Sequence, residues 1–92
     1  MIFEIGDKTG RQIRLTEKQW KHIQEEHPRV NNLEEIKDTL KRPITITESK
    51  YDENVVWYYR KNKQMKRYLL VSVKYLNGDG FIITAHYMRK IR

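Results

Sequence analysis

K-R-Y-L-L-V-S-V-K-Y-L-N-G-D-G-F-I-I-T-A-H-Y, residues Lys66–Tyr87, decides the fold. Two alternating runs flank a turn, Asn77-Gly78-Asp79-Gly80. On the first run Leu69, Val71, Val73 and Tyr75 share a face, and Tyr68, Leu70, Ser72 and Lys74 take the other. On the second, Phe81, Ile83, Ala85 and Tyr87 share a face, and Ile82, Thr84, His86 and Met88 oppose them. Alternation of this kind predicts a half-buried antiparallel hairpin. One face is apolar, and the other mixes apolar groups with hydroxyl, imidazole and ammonium groups. Function is expected on the mixed face.

Working outward, the preceding segments supply the rest of a sheet. Val55–Lys61 (V-V-W-Y-Y-R-K) reads as a strand, and Ile44–Glu48 (I-T-I-T-E) alternates as another. Before them lie two helical segments. Thr16 and Gln19 form a capping box, with Leu15 and Trp20 as its hydrophobic staple, and the helix runs from Glu17 to the residue before Pro28. Asn32 pairs with Glu35 as a second box, and Leu33, Ile36 and Leu40 give an amphipathic helix closed by Pro43. Ile2–Ile5 and Gln12–Leu15 read as a short ribbon around the Gly6–Gly10 turn. The chain is therefore expected to be one α+β domain, residues 1–92. It has a short N-terminal β ribbon, two helices, then a four-stranded antiparallel sheet with the helices on one face.

Composition narrows the function. The chain has 92 residues, no cysteine and a net charge of +7. Neither a disulfide framework nor a thiolate zinc site can hold it together. No apolar run approaches a membrane span, and Met1-Ile2-Phe3-Glu4 does not open a signal peptide, so a cytoplasmic protein is expected. Residues 57–92 hold nine Lys/Arg against one acid, Asp79, whereas residues 1–56 hold ten against eleven. The whole excess lies on the C-terminal strands, where cations alternate with tyrosines. Such a surface suits a polyanion, and nucleic acid is the commonest. The alternative is a solvated basic surface kept for solubility.

Three histidines could carry chemistry. His22 and His27 lie about 140° apart around the first helix, so they share no metal face, and no metal or cofactor is expected. His27 follows the apolar spacing of Trp20 and Ile23 and could simply be a packed helix-end residue. His22 could be a surface residue beside Glu26. His86 instead projects from the mixed face near Thr84, with Ser72, Lys74, Tyr58 and Arg60 expected around it. Cleavage of RNA by transesterification needs a base, an acid and groups that hold the phosphorane, and these side chains supply all three.

W-K-H-I-Q-E-E-H-P (Trp20–Pro28), K-R-P-I-T-I (Lys41–Ile46), V-W-Y-Y-R (Val56–Arg60), L-V-S-V-K and F-I-I-T-A-H-Y together resemble the phage and toxin branches of the barnase–EndoU–colicin–RelE-like (BECR fold) ribonuclease superfamily. The resemblance spans roughly residues 12–88 and is strongest in the W-x-H-I-x-x-x-H-P helix followed by the closing T-A strand. It implies a metal-independent endoribonuclease with RNA, such as tRNA or mRNA, lying against the sheet. An acidic antitoxin or immunity protein would be a partner. Position by position it assigns His22 and His27 as the helix histidines, Arg60 as the strand cation and Thr84 as the hydroxyl of the last strand. An aromatic commonly follows the T-A pair, whereas here His86 does, with Tyr87 after it. The catalytic set is then His22, His27, Arg60, Thr84 and His86. Tyr58, Ser72, Lys74 and Tyr87 would touch substrate. His86 or a helix histidine is the base, and the other histidine is the acid. A nucleic-acid-binding module without chemistry and a module that binds an acidic protein remain the alternatives.

Overall fold

The computed structural model describes residues 1–7 and 9–91, so Lys8 of the expected first turn lies outside the described residues. In chain order the elements are β1 (Phe3–Gly6), β2 (Gln12–Leu15), α1 (Glu17–Glu26), α2 (Leu33–Lys41), β3 (Thr45–Glu48), β4 (Val55–Asn62), β5 (Arg67–Leu76) and β6 (Asp79–Met88). The protein is α+β, as its sequence predicts. β3 to β6 form the expected antiparallel meander. The N-terminal ribbon, however, joins the same sheet, because β2 runs parallel to β6 through Ile13↔Gly80 and Arg14↔Phe81. The result is a six-stranded mixed sheet in the order β1-β2-β6-β5-β4-β3.

Gly80 allows this pairing. A Cβ there would lie 2.9 Å from the Tyr75 ring and 3.0 Å from Ile13 and Val73, so no other residue lets β2 come so close. It also belongs to β6 and not to the turn. Only Asn77 and Gly78 form the turn, with φ of 54° and 86°, the two positive values that a tight two-residue hairpin needs.

The alternation read for the last strand breaks once. Ser72 faces Thr84, but Val73 faces Ile82, so Ile83 is an extra residue, a β-bulge. Ile82 therefore joins Ala85 and Tyr87 on the helix-facing side, and Ile83 does not. That side packs Leu69, Val71, Val73 and Ile82 against Ile23 of α1 and Ile36 and Leu40 of α2, all 3% exposed or less. Burial of each such side chain stabilises the fold by roughly 2 kcal/mol.

Both helices begin as predicted, with one difference at each. Thr16 accepts the Gln19 backbone N–H, and Asn32 accepts those of Glu34 and Glu35. The side chains of Gln19 and Glu35 do not reach back to close the boxes. Gln19 donates to the Ile83 carbonyl, and Glu35 accepts from Tyr87 and Asn62. Among the described residues no helix is long and apolar enough to cross a membrane.

Candidate active site at the end of the last strand

His27 terminates α1. Its backbone N–H still reaches Ile23 at 2.7 Å, but its ψ of 74° turns the chain away, as the following Pro28 requires. The turn delivers its imidazole to β6. There His86 faces Leu70 in register, on the side of the sheet away from the core. The two rings lie with centroids 5.1 Å apart and planes inclined by 31°. They open on a cavity of about 370 Å³, whose wall is completed by Glu26, Arg29, Arg67 and Tyr87. A second cavity of about 550 Å³ shares His86 and Tyr87 and continues along Arg89 and Lys90.

The wall is held from the helix side. Tyr87 donates to Glu35 at 2.5 Å, and Asn62 donates to the other Glu35 oxygen at 2.9 Å. Asn62 in turn accepts the Met65 backbone N–H. Burial raises the Tyr87 phenol, and the Glu35 carboxylate raises it further. Its hydroxyl proton is thus committed to Glu35, and what Tyr87 offers the cavity is its ring.

The cations at this place, like Lys18, Lys21, Lys61, Lys63 and Lys66 elsewhere on the surface, are in no ion pair among the described residues. What is particular here is that they stand beside two imidazoles. Arg11, Arg14, Lys37, Arg42 and Lys74 each pair with a carboxylate. Among the described residues no ion pair holds Arg29, Arg67, Arg89 or Lys90. The trough thus contains two imidazoles and is bordered by four cations outside any ion pair and by one carboxylate, Glu26, a net positive lining that suits an anion.

Of the residues expected to act, His27, His86 and Tyr87 meet here. Thr84 lies two residues from His86 on the same face, opposite Ser72, but is not part of the cavity wall. The others serve elsewhere. His22 sits 3.0 Å from Glu26 on the outside of α1, both side chains 54% exposed. This is the surface arrangement that its position in the helix also allowed. Arg60 and Tyr58 do not share the face of His86. They pair with Leu69 and Val71, which turn toward the helices. Arg60 donates to the Arg42 carbonyl at 2.7 Å and so caps the end of α2. Ser72 is buried, and the Lys74 ammonium lies 3.1 Å from Asp52.

Tyr58 belongs to a separate polar cluster. The buried Asp7 carboxylate accepts from the Tyr75 hydroxyl at 2.7 Å, from the Thr9 backbone and hydroxyl, and from the Arg11 backbone. The Tyr58 and Tyr75 hydroxyls are 2.5 Å apart, and the Arg11 guanidinium stacks 3.7 Å from the Tyr75 ring centre. Burial alone would raise the Asp7 carboxyl, but these donors outweigh it and hold the group at about 2. Burial also raises Tyr75, and its bonds to Tyr58 and Asp7 act in the same direction.

Sequence reasoning missed Arg29, Arg67 and Glu35. Arg67 was within the decisive stretch, but nothing in the alternation says that it ends beside Tyr87. Glu35 was read as a capping residue because its spacing from Asn32 fits. Among the described residues no cluster of three or more His, Asp or Glu could hold a metal ion. The chain matches no protein-family model, no curated protein and no solved structure.

Proposed function

We propose that the chain is a metal-independent endoribonuclease of the BECR type, toxin-like or from a phage, acting on cytoplasmic RNA at the His27–His86 pair. The observation that carries this reading is the imidazole pair itself, opening on a cavity edged by uncompensated cations. One imidazole, neutral, takes the proton of a ribose 2′-hydroxyl. The 2′-oxygen attacks phosphorus, the bond to the 5′-oxygen breaks, and the second imidazole, protonated, gives its proton to that oxygen. The products are a 2′,3′-cyclic phosphate and a 5′-hydroxyl end. Arg67 and Arg29 oppose the charge that grows on the phosphorane oxygens. Arg67 thus takes the role that the family resemblance gives to Arg60, whose guanidinium is occupied at Arg42.

Purified protein incubated with tRNA or mRNA in EDTA should release 2′,3′-cyclic phosphate ends, with a bell-shaped dependence on pH because one histidine must be neutral and the other charged. DNA and 2′-O-methyl RNA should remain whole. If no cellular RNA is cut, the reading fails. The four cations also support a second reading, a nucleic-acid-binding module without chemistry. Salt-sensitive RNA binding that leaves every substrate intact would favour it. An acidic antitoxin or immunity protein would cover the same trough.

A further inference from the structure

The bulge in β6 and the displaced side chain of Gln19 belong to one device. Core packing requires Ile82, Ala85 and Tyr87 on the helix-facing side of β6. Strict alternation cannot give this together with an outward His86, because Ile82 and His86 are an even number of residues apart. The extra residue Ile83 resolves the conflict. It lets Ile82 enter the core and turns Thr84 and His86 to the opposite side.

The bulged carbonyl lies where the pairing of β2 with β6 has ended, at Phe81, and it receives the Gln19 side-chain amide. From this contact α1 and β6 run on to the two imidazoles over matching lengths. Gln19 to His27 is eight helical residues, about 12 Å. Ile83 to His86 is three strand residues, about 10 Å. A join at one end thereby sets the approach of the rings at the other.

We infer that Gln19 is a positioning residue: by fastening the first turn of α1 to the Ile83 bulge, it fixes the distance between His27 and His86. The contact removes Gln19 from the capping box in which its sequence would place it. Its backbone N–H still caps at Thr16, so replacing the side chain leaves the helix start intact. The inference rests on the ribonuclease reading only for its consequence in catalysis.

Gln19→Met keeps the size and removes the donor. The first measurement is the nuclear Overhauser effect between the ring protons of His27 and His86 in the free protein, which is independent of any RNA. It should be strong in the parent and weak or lost in Gln19→Met. Cleavage should fall between tenfold and about 100-fold in kcat with KM little changed, as for a small misplacement of reacting groups. Gln19→Lys, which restores an N–H donor on a long stem, should recover much of both signals. Gln24→Met, at an exposed glutamine of the same helix, should change neither. An unchanged ring contact in a folded Gln19→Met protein overturns the inference. Should that variant not fold, Gln19→Glu, which keeps the length and shape of the side chain but has no amide donor, poses the same question, and persistence of the ring contact there overturns the inference equally. A lost ring contact in a protein that cuts no RNA would sustain the positioning role and remove the ribonuclease reading instead.

Discussion

Two tyrosine hydroxyls on the helix-facing side of the sheet each rest on a carboxylate, and they lie toward opposite ends of β5. Tyr75, at one end, donates to Asp7 at 2.7 Å, while Tyr87, beside Leu69 near the other, donates to Glu35 at 2.5 Å. The Asp7 carboxyl is held below its ordinary range by its donors, and it is sealed. Its oxygens accept from Thr9, Arg11 and Tyr75, its side chain is 0% exposed, and Arg11 lies over it. Nothing is left with which to bind another molecule. Around Tyr87 the reverse holds. The ring forms a cavity wall beside two imidazoles, and among the described residues no ion pair holds the neighbouring Arg29 and Arg67. A shifted carboxyl can therefore mark a staple of the fold, whereas the proposed ribonuclease site rests on imidazoles and cations beside an open cavity.

The comparison breaks first, if it breaks, on activity. His86→Ala should lower RNA cleavage by a factor on the order of 10³, the usual contribution of a general acid or base, while changing Tm little. Asp7→Asn should leave the cleavage rate per folded molecule unaltered. Assays corrected for folded fraction by far-UV circular dichroism separate the two. Full activity in His86→Ala would dissolve the distinction between the two regions.

The stability of the sealed cluster is the next test. Asp7→Asn removes a buried acceptor that serves several donors and should destabilise the protein by about 3 kcal/mol in urea unfolding near pH 7. The loss should be acid-dependent. In the unfolded chain Asp7 takes up its proton near the ordinary 3.8, but in the folded protein only at about 2. Its stabilisation is thus fully present above the unfolded value and is lost as pH falls through the folded one. The carboxyl shift corresponds to about 2 kcal/mol over that window. The gap between wild type and Asp7→Asn should accordingly narrow between about pH 5 and pH 2. A gap that stays constant with pH would mean that the carboxylate charge contributes nothing there.

Much of the fold was legible because it rests on local chemistry. Thr16, Asn32, Pro28 and the Asn77-Gly78 turn each dictate their own conformation. The joining of β2 to β6 was not legible, since it depends on a missing Cβ at Gly80 that matters only once Tyr75, Ile13 and Val73 converge there. The site was legible in part. His27 and His86 were identified as chemically able. Their meeting depends on a bulge, and one added residue reverses every later side chain without altering the composition of the strand. The same loss of phase explains Ile82, which packs in the core although it was expected to share a face with His86. The faces of Tyr58 and Arg60 were misjudged for a different reason. A tyrosine and an arginine look polar in sequence, yet their partners Val71 and Leu69 fix them to the helix side.

The smallest expected effect concerns which cations meet the substrate. Arg67 is uncompensated and borders the cavity, whereas Arg60 caps α2 through the Arg42 carbonyl and Lys74 pairs with Asp52. A phosphate contact through Arg67 displaces a counterion from a single strand. Arg67→Ala should therefore reduce the slope of log K against log salt by about 0.7 and weaken binding several-fold, roughly 1 kcal/mol. The ligand for this measurement is a 2′-O-methyl oligonucleotide, which cannot be cut by 2′-hydroxyl attack, so binding is read apart from chemistry. Lys74→Ala should leave the slope unchanged, because its ammonium already has a counter-charge. Arg60→Ala should lower stability through the exposed end of α2 but also leave the slope unchanged. If the slope instead falls for Arg60 and Lys74 and not for Arg67, the anion lies along the broad faces of the sheet. The cavity at His27 and His86 would then lose the electrostatic contrast that sets it apart from Asp7.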